Sequence, residues 1–316
     1  MNRNVRKKRK PVVRGKKKNK KKSLLTVRIF SFFILLGLLL FSMGAAGYVI
    51  FFRTTLAHGS PLEESNSNIV FEEPYPAIPV FPSDVPPVRD STLPMVAIII
   101  DDMGYHKEIG ARLLALPLNL TFSFLAAAPF TPELEEKAFQ AGRVIMLHQP
   151  MEPKSKEWDP GSGALFVGQS DEVQKQLFQQ NLQAVPHAVG VNNHMGSLYT
   201  ENRAAMDSLM VAVREQGLFF VDSYTTADSQ GLKAAIAAGV PTARRHIFLD
   251  NVHSQDKVCK QLKKLVKSAE DNGWAIGIGH PNEATLAALT NCQDSLLKRV
   301  HLVSAQELLF RLNHPE

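Results

Sequence analysis

The sequence predicts an α/β protein: one domain whose parallel strands close into a barrel-like sheet, preceded by a single transmembrane helix and a Pro-rich linker. Three observations predict it. A long uncharged apolar run follows a dense basic block, eight prolines punctuate residues 61–94, and from Met95 onward short apolar runs alternate with longer amphipathic or Ala-rich stretches.

Charge sets the topology of the first element. The formal charge of +6 is misleading, because residues 1–28 hold 14 Lys or Arg and no acid, which leaves 22 basic against 30 acidic residues in the rest of the chain. The 24 residues from Ile29 to Phe52 carry no charge, and at ~1.5 Å rise per residue they exceed a bilayer core of ~30 Å. A cleavable signal peptide has an apolar region of only about 7–15 residues, and Ala45, Ala46 and Gly47 are a weak small-residue site. The basic block before the span, against Arg53 alone just after it, places the N-terminus in the cytoplasm. The domain is then periplasmic or otherwise extracytoplasmic, on a protein of the inner or cytoplasmic membrane. Beside a membrane span, a Lys/Arg run fits anionic lipid head groups better than nucleic acid. Residues 53–93 form a semi-extended tether, since Pro favours polyproline II segments of ~3.1 Å per residue.

Eight strands are expected in residues 94–316: 96–100, 120–125, 144–147, 188–191, 218–221, 246–249, 274–278 and 301–303. Helical patterns fall near 107–116, 132–140, 171–185, 203–216, 229–238, 254–272, 283–297 and 305–312. About 220 residues suit a barrel, and no Gly-rich nucleotide loop follows the first strand.

Polar residues gather where such a barrel builds its site. Strand one runs into Asp101 and Asp102, strand three into His148, strand four into Asn192, Asn193 and His194, strand five into Asp222, strand six into Asp250, and strand seven into His280. The C-terminal ends of parallel strands converge on one face. Two imidazoles and a carboxylate from separate strands could there form an open three-ligand metal site of the catalytic kind. Taken singly, Asp102 is also an ordinary helix cap and His148 an ordinary core histidine. The joint placement at strand ends favours a functional cluster, whereas His106, His187, His246, His253, His301 and His314 fall in loops, turns or strand starts.

Five ordered blocks carry a family resemblance. They are Ile98 to Gly104, His148 to Pro153, Gly190 to Ser197, Phe220 to Ser223 and Gly277 to Pro281. Together they resemble the divergent polysaccharide deacetylases, over roughly Pro94 to Phe310. The resemblance implies a distorted (β/α)7-8 barrel like that of carbohydrate esterases, and a substrate such as peptidoglycan or another N-acetylated glycan. It maps Asp101 onto the general base, Asp102 onto a metal ligand and His280 onto the general acid. The ordinary family's paired His-x-x-x-His ligands are absent from this chain, so His148 and His194 would replace them from different strands.

The implied chemistry is metal-assisted hydrolysis of an N-acetyl or O-acetyl group, with Zn²⁺ the cation suited to imidazole and carboxylate ligands. Asp222 and Asp250 are candidates to orient the histidines, and Glu152 and Asn193 to line the pocket or hold substrate. Trp158 either stacks on a sugar ring or anchors its own loop. Three other readings stay open: a metal-free glycoside hydrolase using paired carboxylates, a metal-dependent hydrolase of another amide or ester, and a non-catalytic glycan-binding or envelope-scaffold protein. Cys259 and Cys292 fall on neighbouring predicted helices in a compartment that permits a disulfide, and their spacing leaves the pairing open.

Overall fold

The structure, a computed structural model, describes residues 93–293 and 297–313. The basic segment 1–28, the apolar segment 29–52 and linker residues 53–92 lie outside the described residues. Among the described residues no helix is long and apolar enough to cross a membrane.

Strands and helices alternate along the domain. Their order is β1 (Met95–Met103), α1 (Lys107–Leu114), β2 (Thr121–Leu125), α2 (Thr131–Gln140), β3 (Val144–Met151), α3 (Asp171–Ala184), β4 (Gly190–Met195) and α4 (Arg203–Glu215). There follow β5 (Phe219–Asp222), α5 (Gly231–Ala238), β6 (Thr242–Arg244), β7 (Ile247–Phe248), α6 (Gln255–Asn272), β8 (Trp274–Gly279), α7 (Glu283–Asn291), β9 (His301–Leu302) and α8 (Ala305–Asn313). Every ladder is parallel, in the spatial order β6-β5-β4-β3-β2-β1-β8-β7.

Closure falls on one stretch of chain. β6 pairs with β5 and β7 pairs with β8, while between them Arg245 N donates to Asp222 O and His246 N to Ile276 O. Residues 242–248 therefore act as one stave whose first half bonds one neighbour and whose second half bonds the other. Counted this way the distorted barrel has seven staves. The expected single strand at 246–249 is thus corrected to two short strands that begin earlier, at Thr242, a start that the polar run Thr242, Arg244, Arg245 conceals from hydropathy. The eighth expected strand is present as β9, which pairs with the start of β1 at Met95 and Val96.

Two apolar sets divide the pleat. Val96, Ile98, Ile100, Phe122, Phe124, Leu147, Val191 and Phe220 point outward to the helices. Met95, Ala97, Ile99, Met146, Val221, Ala243, Trp274, Ile276 and Ile278 form a second, inner cluster, completed by Ala305, Leu308 and Leu309 of α8. Ala305 N donates to Thr121 Oγ1 at the start of β2, so α8 closes the end of the barrel opposite the site. Each such buried aliphatic side chain stabilises the domain by about 1.5–3 kcal/mol.

The helices follow local sequence closely. Val258, Leu262, Leu265, Val266 and Ala269 place one buried stripe on α6, which stops at Gly273, in the left-handed region at φ 86°. Asn202 and Asn282 cap α4 and α7 by accepting from Ala205 N and Thr285 N. The helix expected to reach Leu297 ends at Asn291, closed by Cys292.

Cys292 is joined to Cys259 of α6 by a disulfide spanning 33 positions, which covalently ties together the two helices flanking β8. A Cys259→Ser, Cys292→Ser double variant should lose about 2–4 kcal/mol of stability, read as a lower urea midpoint. Wild-type protein that unfolds at the same midpoint with and without dithiothreitol would show that the bridge contributes nothing.

Candidate active site

The site begins with a break in the pleat. In β1 the odd residues 95, 97 and 99 face inward, so Asp101 does too, and strict alternation would turn Asp102 outward. The β1–β2 register slips by one residue between Ile100 and Met103, and Asp102 sits at φ 51°. This bulge leaves both carboxylates at the mouth and returns Met103 to the outer core. Gly104 follows at φ 115°, where a Cβ would fall 2.1 Å from Thr131 Oγ1. Met195 and Tyr224, beside His194 and Ser223, also have positive φ, at 50° and 54°, a clustering of strained backbone that marks functional sites.

Asp102, His148 and His194 meet at this mouth. Asp102 Oδ1 lies 3.1 Å from His148 Nε2 and 2.9 Å from His194 Nδ1, and all three donor atoms lie within 4.8 Å of one another. Yet neither Asp102 oxygen takes part in a hydrogen bond, although both are fully buried. A buried carboxylate without a hydrogen bond is costly. Tetrahedral ligands held 2.0–2.1 Å from a metal lie roughly 3.3 Å apart, so the three atoms are close enough to share one cation. Burial alone would push the Asp102 carboxyl up, but the field of His194 and short contacts with His148 and His194 hold it well below the usual carboxylate range.

Asn192 orders the neighbours. Its Nδ2 donates to Asp101 Oδ1 and Oδ2 at 2.8 and 2.9 Å and to Ser223 Oγ at 3.2 Å, while its Oδ1 accepts from Ser123 Oγ at 2.6 Å. The same Oδ1 lies 2.8 Å from His148 Nδ1. With the amide set by the Asp101 carboxylate, Nδ1 of His148 carries a proton and Nε2 is the nitrogen that faces Asp102. Burial opposes charge on the ring, but Asp101 and Asp102 hold it above the usual imidazole range. Asp101 is 3.8 Å from His148 Nε2, and burial pushes its carboxyl up in spite of His148, His280 and Asn192.

Across the mouth, His280 Nδ1 sits 2.9 Å from Asp250 Oδ1, and its Nε2 reaches to 3.9 Å from Asp102 Oδ2. Asp250 Oδ2 accepts from His280 N, Asn282 Nδ2 and Thr285 Oγ1 at 2.7, 2.7 and 2.6 Å. Burial opposes charge on the imidazole, but Asp250 outweighs it and holds His280 up to about 9. At neutral pH it is an imidazolium.

The remaining expected residues divide. Asn193 borders the opening, with its amide engaged by Ser223 N and Met195 O. Asp222 does not reach an imidazole: Val221 is the inward residue of its strand, so Asp222 points out and accepts from Tyr224 N and Ser229 Oγ. Glu152 is also turned away, holding Val167 N at 2.8 Å. Trp158 is half-buried in the same loop, away from the opening. Ser123, Ser223 and Arg245 were not among the expected site residues, and Asn192 was noted at its strand end without a role, although each has the inward parity of its strand. Arg245 lies at the seam, where Nε and Nη2 donate to Ser223 O and Tyr224 O at 2.7 and 2.9 Å. A second trio, Glu135, Glu136 and His187, lies apart from the mouth, and both Glu135 oxygens are taken up by His187.

Comparison with known proteins places this geometry in context. The uncharacterized protein YibQ of Escherichia coli K12 is 34% identical over 221 residues, 70% of this chain and 68% of its own length. An uncharacterized protein of Haemophilus influenzae is 36% identical over 213 residues, 67% of this chain and 76% of its own length. The crystal structure of an uncharacterized protein from Agrobacterium tumefaciens C58 matches with a TM-score of 0.66 at 21% identity, over 72% of this chain and 99% of that one, a likeness of fold. The family described as divergent polysaccharide deacetylase matches residues 98–309, which contain every residue of the mouth, and the chain belongs to that family.

Proposed function

We propose that the protein is a metal-dependent deacetylase that removes N-acetyl or O-acetyl groups from an envelope glycan. One observation carries the reading: a buried aspartate without a hydrogen bond on either oxygen faces two histidines at contact distance. Family membership supports the glycan substrate. Two imidazoles and a carboxylate favour Zn²⁺ among the divalent ions. In this reading residues 29–52 anchor the chain in the cytoplasmic membrane and the barrel works on the extracytoplasmic side, where the Cys259–Cys292 bridge is stable.

When bound by Asp102, His148 and His194, the cation supplies Lewis acidity, lowering the pKa of water toward ~7 and drawing charge from the acyl carbonyl. Asp101, steadied through both oxygens by Asn192, takes the proton from the attacking water. The water oxygen bonds to the acyl carbon, and the carbon–nitrogen bond breaks. His280, held charged by Asp250, gives its proton to the departing sugar nitrogen. Products are the free amine and acetate. A barrel of the same shape that only bound glycan would have no need to keep Asp102 without a hydrogen bond.

Metal analysis of the full-length chain should find near-stoichiometric zinc, lost in Asp102→Ala, His148→Ala and His194→Ala variants that keep wild-type circular dichroism. Zinc at a hundredfold excess over its Kd should stabilise the wild type by about 2.7 kcal/mol. Wild-type protein that neither holds nor takes up a divalent ion would overturn the reading in favour of a binding protein.

The acid has its own signature. His280 is charged below about 9 and loses its proton above it, so kcat/KM should fall on the alkaline side. Asp250→Asn removes the carboxylate that raises His280 and should move that limb to lower pH. His280→Gln should abolish the limb and reduce kcat by roughly 10²–10⁴-fold. An alkaline limb unmoved by Asp250→Asn would assign it to another group.

A further inference from the structure

The mechanism leaves one charge in the mouth without a task. Arg245 is only 7% exposed. Its Nε and Nη2 donate to two backbone carbonyls, Ser223 O and Tyr224 O, and its guanidinium lies 5.2 Å from the Phe248 ring centroid. Among the described residues no carboxylate oxygen forms an ion pair with it, and its Nη1 makes no hydrogen bond there and is not sealed from solvent. A buried guanidinium without a contacting ion pair is expensive, and this one borders the same opening as Asp101, His148 and His280.

Its position around the ring gives the vacancy a direction. The metal trio occupies β1, β3 and β4, while Arg245, Phe248 and His280 occupy the arc from the seam to β8. A substrate whose acyl group lies at the trio and whose nitrogen meets His280 extends its sugar toward Arg245. We propose that Arg245 seats a carboxylate of the substrate, so that the glycan processed here is acidic, with the acid group near the acylated nitrogen. Guanidinium N–H groups suit a planar carboxylate. A phosphate dianion fits less well, because Asp101 and Asp222 lie close enough to Arg245 to act on it electrostatically and would repel the second charge. The inference rests on the deacetylase reading for the acyl half of the substrate.

The test uses the full-length protein with a disaccharide of glucuronate and N-acetylglucosamine, and with the methyl ester of the same disaccharide. Titration calorimetry should show at least tenfold tighter binding of the acid than of the ester. Arg245→Met should bring that ratio close to one, and Arg245→Lys should keep part of it. Should the Met variant unfold at the seam, the wild-type ratio and the Lys variant decide. Equal binding of acid and ester by wild type, including binding of neither, overturns the proposal, as does a ratio unchanged in Arg245→Met. Acetate release is followed in parallel. Release from the ester at the same rate as from the acid overturns the acidic substrate while the deacetylase reading stands. An Arg245-dependent preference for the acid without acetate release from either keeps the carboxylate seat and sinks the deacetylase reading.

Discussion

Everything at the mouth depends on one extra residue in β1. Two adjacent carboxylates in a strand point to opposite faces, yet Asp101 and Asp102 must share one. The bulge between Ile100 and Met103 and the left-handed backbone of Asp102 solve this locally, and Gly104 makes the following turn sterically possible. Without the bulge, Asp102 would sit beside Ile98 and Ile100 in the outer apolar layer, where an unpaired charge could not be tolerated. Strain in the backbone is thus exchanged for an anion placed where only a cation, or the imidazoles around it, can neutralise it.

Polar partners around the site form two separate systems. One joins Ser123, Asn192, Asp101 and His148 across β2, β4, β1 and β3. The other joins Asp250, His280, Asn282 and Thr285 across the chain after β7, β8 and the first turn of α7. Asn282 serves both its helix cap and the carboxylate behind the acid. Asp102 lies between the two systems, at 3.1 Å from His148 and 3.9 Å from His280, and Asp101 and His280 also act on each other electrostatically. Asp101 and His280 thus each have their own hydrogen-bond partner, Asn192 and Asp250, while sharing one electrostatic field.

Much of this was legible in the sequence. Alternating apolar runs and helical stripes placed every helix and all but one of the strands, because burial sets their periods directly. Asp101, Asp102, His148, His194, Asp250 and His280 were visible as polar residues at strand ends. What failed was counting faces. Asp222 and Glu152 were chosen for their chemistry, while Ser123, Ser223 and Arg245 share the inward parity of their strands and were passed over, and Asn192 was seen at its strand end but given no role. Period-two counting from the buried inner residues, 221 to 223 and 243 to 245, would have found two of them. Asp102 itself obeys no such count, since a bulge changes parity without leaving a mark in composition. The split stave at 242–248 was hidden for a similar reason: its inward residues change from odd to even between Arg245 and Phe248.

That stave also separates two kinds of inheritance. Asp102, His148 and His194 lie on β1, β3 and β4, which are held by ladders of five or six pairs with β2, β8 or each other and whose side chains here are buried. Arg245 and Phe248, which border the same opening, lie at the seam, where the ladders are two or three residues long. Substitutions there disturb few ladder hydrogen bonds and leave the Asp102, His148 and His194 cluster in place. Under the proposed reading, a lineage could exchange one glycan for another by drifting along residues 242–249, provided that Asp250 behind His280 is kept.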